Sequence, residues 1–181
     1  MSVAQRELPV DAMALARRWR WPVWIGAVCL WLLPGLAMQY TDEVRWDAQD
    51  FAVFAGMLAG LTLAWELALR FAGGVLARLA ALAAIGAAFL LLWANLAVGL
   101  VGGEHAPVNA LWTVLVLVAA ASACWVRWQP RAMVKVLLAI ALTQALIAAA
   151  AYAIVGTSAL PALVLASVWL LPAGLYAWAA R

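Results

Sequence analysis

Residues 50–70 read DFAVFAGMLAGLTLAWELALR, with an acid at one end, a base at the other and one ionisable side chain, Glu66, between them. The twenty residues after Asp50 would rise about 30 Å as an α-helix, which is the thickness of a bilayer's hydrocarbon core. Lipid cannot satisfy a backbone N–H or C=O, and the run lacks the alternation of a β-barrel strand, so a transmembrane helix is predicted. Asp47 or Asp50 can cap its start. Ala52, Gly56, Gly60, Ala64 and Ala68 recur at spacing four along nearly one face, a pattern that lets another helix approach closely.

Five further runs of the same kind flank it, at residues 22–40, 79–101, 108–126, 136–155 and 160–178. The chain has 181 residues, 70% hydrophobic and 10% charged. Globular domains hold roughly 45–50% apolar and about 25% charged residues, so a soluble domain is excluded. The predicted fold is all-α, a polytopic transmembrane bundle of six helices, with spans two and three as its tightly packed centre. Residues 1–21 read as a cytoplasmic basic segment and residues 22–181 as the transmembrane domain.

Threading six spans through a bilayer sorts the charges. Arg6, Arg17, Arg18, Arg20, Arg70, Arg78, Arg127, Arg131, Lys135 and Arg181 fall on one side, and Asp42, Glu43, Asp47, Asp50 and Glu104 on the other with Arg45. Loops retained in the cytoplasm are enriched in Lys and Arg, so both termini are expected there. The net charge of +3 reflects these span flanks rather than a continuous basic patch, so no nucleic-acid partner is expected. Arg17, Arg18 and Arg20 before an apolar run resemble a signal peptide. The run exceeds the usual 7–15 residues and Ala37-Met38-Gln39 is a poor cleavage site, so it reads as a retained first span.

Loop punctuation agrees: Gly73-Gly74, Gly102-Gly103 with Pro107, Gln129-Pro130 and Gly156 fall between spans, and Pro161 lies at the start of the sixth. Asn95, Gly99 and Gly103 form a short stripe of small and polar residues at the outer part of span three. Of the twelve tryptophans, Trp19, Trp21, Trp24, Trp65, Trp125, Trp128 and Trp178 fall at the inner interface, and Trp46 and Trp112 at the outer one. Trp31, Trp93 and Trp169 lie deeper, where their indole N–H groups need protein partners. Cys29 and Cys124 fall inside spans with no metal-binding spacing, and read as buried, inert thiols.

Few residues carry chemistry. Glu66 lies roughly 22 Å into its span, near the inner edge. It reads either as an interfacial ion pair with Arg70 at i+4 or as a proton or cation relay. Asn95 and Gln144 are amides at depth, suited to interhelical hydrogen bonds or to lining a solute path. His105 is the only histidine; beside Glu104 and the acidic outer loop it could complete a hard-cation site, though an ordinary acidic rim explains the same residues. No catalytic set, cofactor motif or metal motif assembles, so neither a cofactor nor a metal is expected and the reading leans away from an enzyme.

The run Trp93-Ala94-Asn95-Leu96-Ala97-Val98-Gly99-Leu100-Val101-Gly102-Gly103-Glu104, followed by Pro107 and Asn109, carries a resemblance. So do Gln39-Tyr40-Thr41-Asp42-Glu43-Val44 with Trp46 and Asp50-Phe51, and the turn Arg127-Trp128-Gln129-Pro130-Arg131-Ala132-Met133. Together these resemble an uncharacterised family of small bacterial inner-membrane proteins with an N-L-A-V-G-x-x-G-x-E signature. The resemblance implies a multi-pass location in the bacterial inner membrane and no particular reaction. Its residues gather at the outer ends of the first four spans, so Gln39, Asp42, Glu43, Trp46, Asp50, Asn95, Glu104, His105 and Asn109 form the candidate outer cluster, with Glu66 and Gln144 as candidate intramembrane groups. The expected role is a non-enzymatic accessory or assembly subunit in the lipid bilayer, acting through a membrane-protein partner or as a homo-oligomer. The alternative is a small oligomeric carrier or ion-conducting protein with an outer polar entrance.

Overall fold

The computed structural model describes residues 10–103, 106–156, 158 and 160–181, and among them every regular element is helical. These are α1 (Val10–Ala37), α2 (Ala48–Phe71), α3 (Val75–Val98), a 3-10 turn (Pro107–Asn109), α4 (Ala110–Trp125), α5 (Pro130–Val155), α6 (Leu160–Val168) and α7 (Leu170–Ala179). Five stretches are long and apolar enough to cross a membrane: Ala48–Phe71, Val75–Val98, Pro107–Trp125, Pro130–Ile154 and Leu160–Ala179. The apolar part of α1, Trp21–Ala37, is shorter. The chain divides into two compact units, Met1–Glu66 and Leu67–Arg181.

In the first unit α1 and α2 are held antiparallel by indole hydrogen bonds. Trp31 Nε1 donates to the Phe51 carbonyl at 2.9 Å, and Trp24 Nε1 donates to Glu66 Oε1 at 2.7 Å. Trp46, from the connecting loop, packs edge-on against Phe51 and Phe54 with ring centroids 5.4 and 5.3 Å away. The face of α2 carrying Phe54, Leu58 and Thr62 is buried, while Ala52, Gly56 and Gly60 are exposed. The small-residue stripe is thus turned outward over its first half. Thr62 turns its hydroxyl back onto the Leu58 and Ala59 carbonyls, both at 2.9 Å, so a polar side chain is buried without another helix having to satisfy it.

In the second unit α3 packs on α4, α4 on α5 and α5 on α6, while α7 lies against both α3 and α5. Within this unit it is α7 that occupies the centre. The contact is made possible by alanines: Ala77, Ala80, Ala81, Ala84 and Ala87 are buried along α3, and Ala173 on α7. Large apolar side chains point the other way, with Leu79, Leu82, Leu90, Leu117, Leu142 and Leu146 exposed. A soluble bundle buries its leucines; in lipid there is no drive to do so, and small residues take the helix contacts instead.

The sixth run is interrupted. Helix α6 ends at Val168 and α7 begins at Leu170, with Trp169 between them. Pro172 is the cause, since it has no N–H for the Val168 carbonyl and its ring crowds that carbonyl. The Ala173 N–H resumes the pattern by donating to the Trp169 carbonyl at 3.2 Å. Other differences from the sequence reading have similar local causes. Helix α3 stops at Val98, because Gly99 (φ 65°) leaves the helical region; Gly99 and Gly103 (φ 87°) therefore build a turn and not a packing stripe. Cys29 and Cys124 are exposed rather than buried, on outward faces of α1 and α4. Trp21, Trp125 and Trp178 are exposed as a belt requires, but Trp112 and Trp128 are interior.

Candidate functional site

The loop that leads into α2 is organised by its two aspartates. Asp47 Oδ1 accepts from the backbone N–H of Gln49 (2.7 Å) and Asp50 (2.9 Å), and Asp50 Oδ2 accepts from the Asp47 N–H at 3.0 Å. This reciprocal cap uses both carboxylates at the free amides of the first turn and is worth about 1 kcal/mol. Arg45 Nε donates to the Asp42 carbonyl at 3.0 Å, and the Glu43 N–H donates to Thr41 Oγ1 at 3.2 Å. Gln39, Asp42, Glu43 and Asp50 are exposed and Trp46 is half-buried.

In the second unit the two asparagines of the candidate cluster meet. Asn95, in the last turn of α3, donates from Nδ2 to the Asn109 carbonyl at 3.0 Å. Asn109 Oδ1 accepts from the N–H groups of Leu100 and Val101 and from Trp112 Nε1, each at 3.2 Å, and its Nδ2 donates to the Gly103 carbonyl at 2.6 Å. One amide therefore replaces the partners that the chain loses where α3 ends, and it closes the α3–α4 loop onto α4. Asn95, Leu100, Val101, Asn109 and Trp112 are buried, Trp112 fully, so the bonds among them are shielded from solvent, while Gly103 is exposed. Asn95 Oδ1 is left buried with no partner. Glu104 and His105 lie outside the described residues.

Gln144 has a comparable role at depth. Its Nε2 donates to the Ala162 carbonyl at 2.9 Å and its Oε1 accepts from Trp169 Nε1 at 2.7 Å. Gln144 is 0% exposed and Trp169 is 2% exposed. The amide ties α5 to α6 and holds the indole at the α6–α7 break. Trp31 and Trp169 thus have the protein partners their depth demands; Trp93 is exposed, with the Phe89 ring at 5.8 Å between centroids. Glu66 is half-buried and accepts the Trp24 bond; Arg70 is exposed.

The opposite end of the second unit was missed as a candidate. Arg127 and Trp128, in the α4–α5 turn, both hold left-handed backbone (φ 51° and 57°), a conformation that costs a side-chain-bearing residue roughly 1–2 kcal/mol. The turn is closed by Arg127 N–H to the Cys124 carbonyl at 3.0 Å and Trp128 N–H to the Ala123 carbonyl at 3.1 Å. Its effect is to send the Trp128 indole inward and to set the Arg127 guanidinium 5.5 Å above the Phe71 ring. The Trp128 Nε1, Arg78 Nε and Tyr176 hydroxyl are all buried there without a partner. The sequence signals were the run of basic residues around Gln129-Pro130, which reads equally well as an interfacial flank, and the place of the turn from Arg127 to Met133 in the family resemblance.

Among the described residues no three metal-ligating side chains converge. No protein-family model matches the chain, and neither a curated protein nor a solved structure matches it.

Proposed function

We propose that this chain is a multi-pass protein of the bacterial inner membrane with both termini in the cytoplasm, a non-enzymatic accessory or assembly subunit that acts through helix–helix contacts. Membership of the small inner-membrane family with the N-L-A-V-G-x-x-G-x-E signature is part of the proposal. The observation that carries it is the division of labour among the buried polar groups and the small residues. Asn95, Asn109, Gln144, Trp112 and Trp169 are engaged in hydrogen bonds within the chain, which is the use expected of polar groups that hold a bundle together. Meanwhile Ala52, Gly56 and Gly60 present a close-approach stripe on the exposed side of α2. A partner helix, from another protein or from a second copy, would lie along that stripe. A carrier would instead need such amides free to face a passage.

Cross-linking tests this reading. Gly56→Cys, in a background with Cys29 and Cys124 replaced by alanine, should form a disulfide or bismaleimide adduct with a partner chain in native membranes. Gly56→Leu should lose that partner on mild detergent extraction. Recovery of the lone monomer from both wild type and Gly56→Leu, with no adduct at position 56, contradicts it.

A further inference from the structure

The end of the second unit formed by the start of α3, the α4–α5 turn and the end of α7 concentrates buried donors. The topology brings them to one end. Arg127 stands over Phe71, which precedes α3 by a short loop, so the turn and the start of α3 share one end. The Asn95–Asn109 bond sets α3 and α4 antiparallel, which brings Arg78 level with Val126, beside the turn. The bonds of Gln144 to Ala162 and Trp169 set the α6–α7 run antiparallel to α5, which brings Tyr176 level with the first turns of α5. Since α7 packs on both α3 and α5, the three side chains occupy one end of one helical unit.

Their polar atoms have the same deficiency. Trp128 is 4% exposed and Tyr176 0% exposed, and neither the indole N–H, the phenol O–H nor the Arg78 Nε–H has an acceptor. Arg78 and Trp128 can only donate, and Tyr176 donates readily. Among the described residues of 67–181 no side chain carries a carboxylate in answer. Around the site stand Arg127, Arg131, Lys135 and Arg181, all exposed. Helix α3 also starts here at Gly74 without any side-chain cap, so its first amides and its positive dipole end add to the same field. A water molecule accepts from at most two donors and would bring two hydrogens that themselves need acceptors. A tetrahedral oxyanion accepts from every side, and a guanidinium matches two of its oxygens.

We propose that this end of the second unit binds a phosphate oxyanion, held by the Arg78 guanidinium, Trp128 Nε1–H and the Tyr176 hydroxyl. The left-handed turn at Arg127 and Trp128 then has a purpose, since it delivers one donor to the interior and keeps a cation at the rim. The phosphate can belong to a phospholipid headgroup or be free in solution.

The test uses full-length protein, delipidated in a neutral detergent and chloride buffer, with thermal unfolding followed against three probes: inorganic phosphate, short-chain phosphatidylglycerol and short-chain diacylglycerol. A saturable rise in Tm is expected with a phosphate-bearing probe and not with diacylglycerol. Activity of inorganic phosphate alone identifies a free anion, and activity of phosphatidylglycerol only identifies a headgroup. Arg78→Gln and Tyr176→Phe should each raise the midpoint about tenfold. Tyr176→Phe removes only a hydroxyl, so without any probe it should be at least as stable as wild type. The proposal is overturned if neither phosphate probe shifts Tm, or if Tyr176→Phe leaves the midpoint where it was.

Discussion

At the α3–α4 end of the second unit one amide oxygen, Asn109 Oδ1, accepts from Leu100, Val101 and Trp112, and among the buried side-chain atoms of the described residues there Asn95 Oδ1 alone is left over. At the opposite end Arg78 Nε, Trp128 Nε1 and the Tyr176 hydroxyl are three buried groups able to donate, and none has a partner among the described residues. Both ends bury polar side-chain atoms, both involve α3 and α4, and both contain a tryptophan that its place at a span end would assign to an interfacial belt. The difference lies in whether the chain supplies the complementary group itself. Where it does, the polar residues are internal fasteners; where it does not, something from outside the chain is called for.

Substitutions can break or sharpen that contrast. Asn109→Ala should have the largest effect, about 3 kcal/mol of lost stability, because it strands three buried N–H groups and the Gly103 carbonyl. Denaturant unfolding in mixed micelles measures it; a loss under about 1 kcal/mol would mean that the loop finds other partners and the knot is dispensable. Gln144→Leu keeps the volume but removes both bonds to the α6–α7 run. It is expected to cost about 1–2 kcal/mol, in line with interhelical hydrogen bonds in lipid. Trp169→Phe should show little further loss in that background, since its N–H would already be without a partner.

Smaller effects are expected in the first unit. Asp47→Ala should cost about 1 kcal/mol by uncapping α2, visible as faster amide exchange at Gln49 and Asp50 with the rest of the chain unchanged. Glu66→Gln leaves an oxygen to accept from Trp24 Nε1, so as far as that bond goes stability should shift by only about 0.5 kcal/mol. A loss of ion flux in liposomes on the same substitution would instead favour the carrier reading.

The helices were legible in the sequence because each is a run of lipid-compatible residues with Gly, Pro or acids at its ends. Asp47 and Asp50 announced the cap of α2, and Gln129-Pro130 the start of α5. Facing was far less legible. In an apolar chain the hydrophobic pattern no longer marks the buried side, so the Gly56–Gly60 stripe reads equally as an internal or an intermolecular contact and lies outward, and both cysteines read as buried and are exposed. Trp112 and Trp128 sit at span ends like belt residues, but a buried acceptor claims one and a left-handed turn draws in the other. Asn109 looked like one polar residue among several because its importance comes from the backbone amides of residues 100 and 101, which no side-chain pattern records. The Arg78, Trp128 and Tyr176 group was invisible for the same reason: its members are about fifty residues apart in sequence and share only an end of the fold.

The proposed topology requires the start of α2 and the α4–α5 turn to lie on opposite sides of one membrane. Single cysteines at Gln49, in the capped start of α2, and at Gln129, in the α4–α5 turn, can be placed in a background with Cys29 and Cys124 replaced. They are then labelled with a membrane-impermeant maleimide in intact spheroplasts and again after permeabilisation. The predicted result is labelling of position 49 from outside and of position 129 only once the membrane is opened. Equal labelling of both positions in intact spheroplasts, or protection of both, would contradict it.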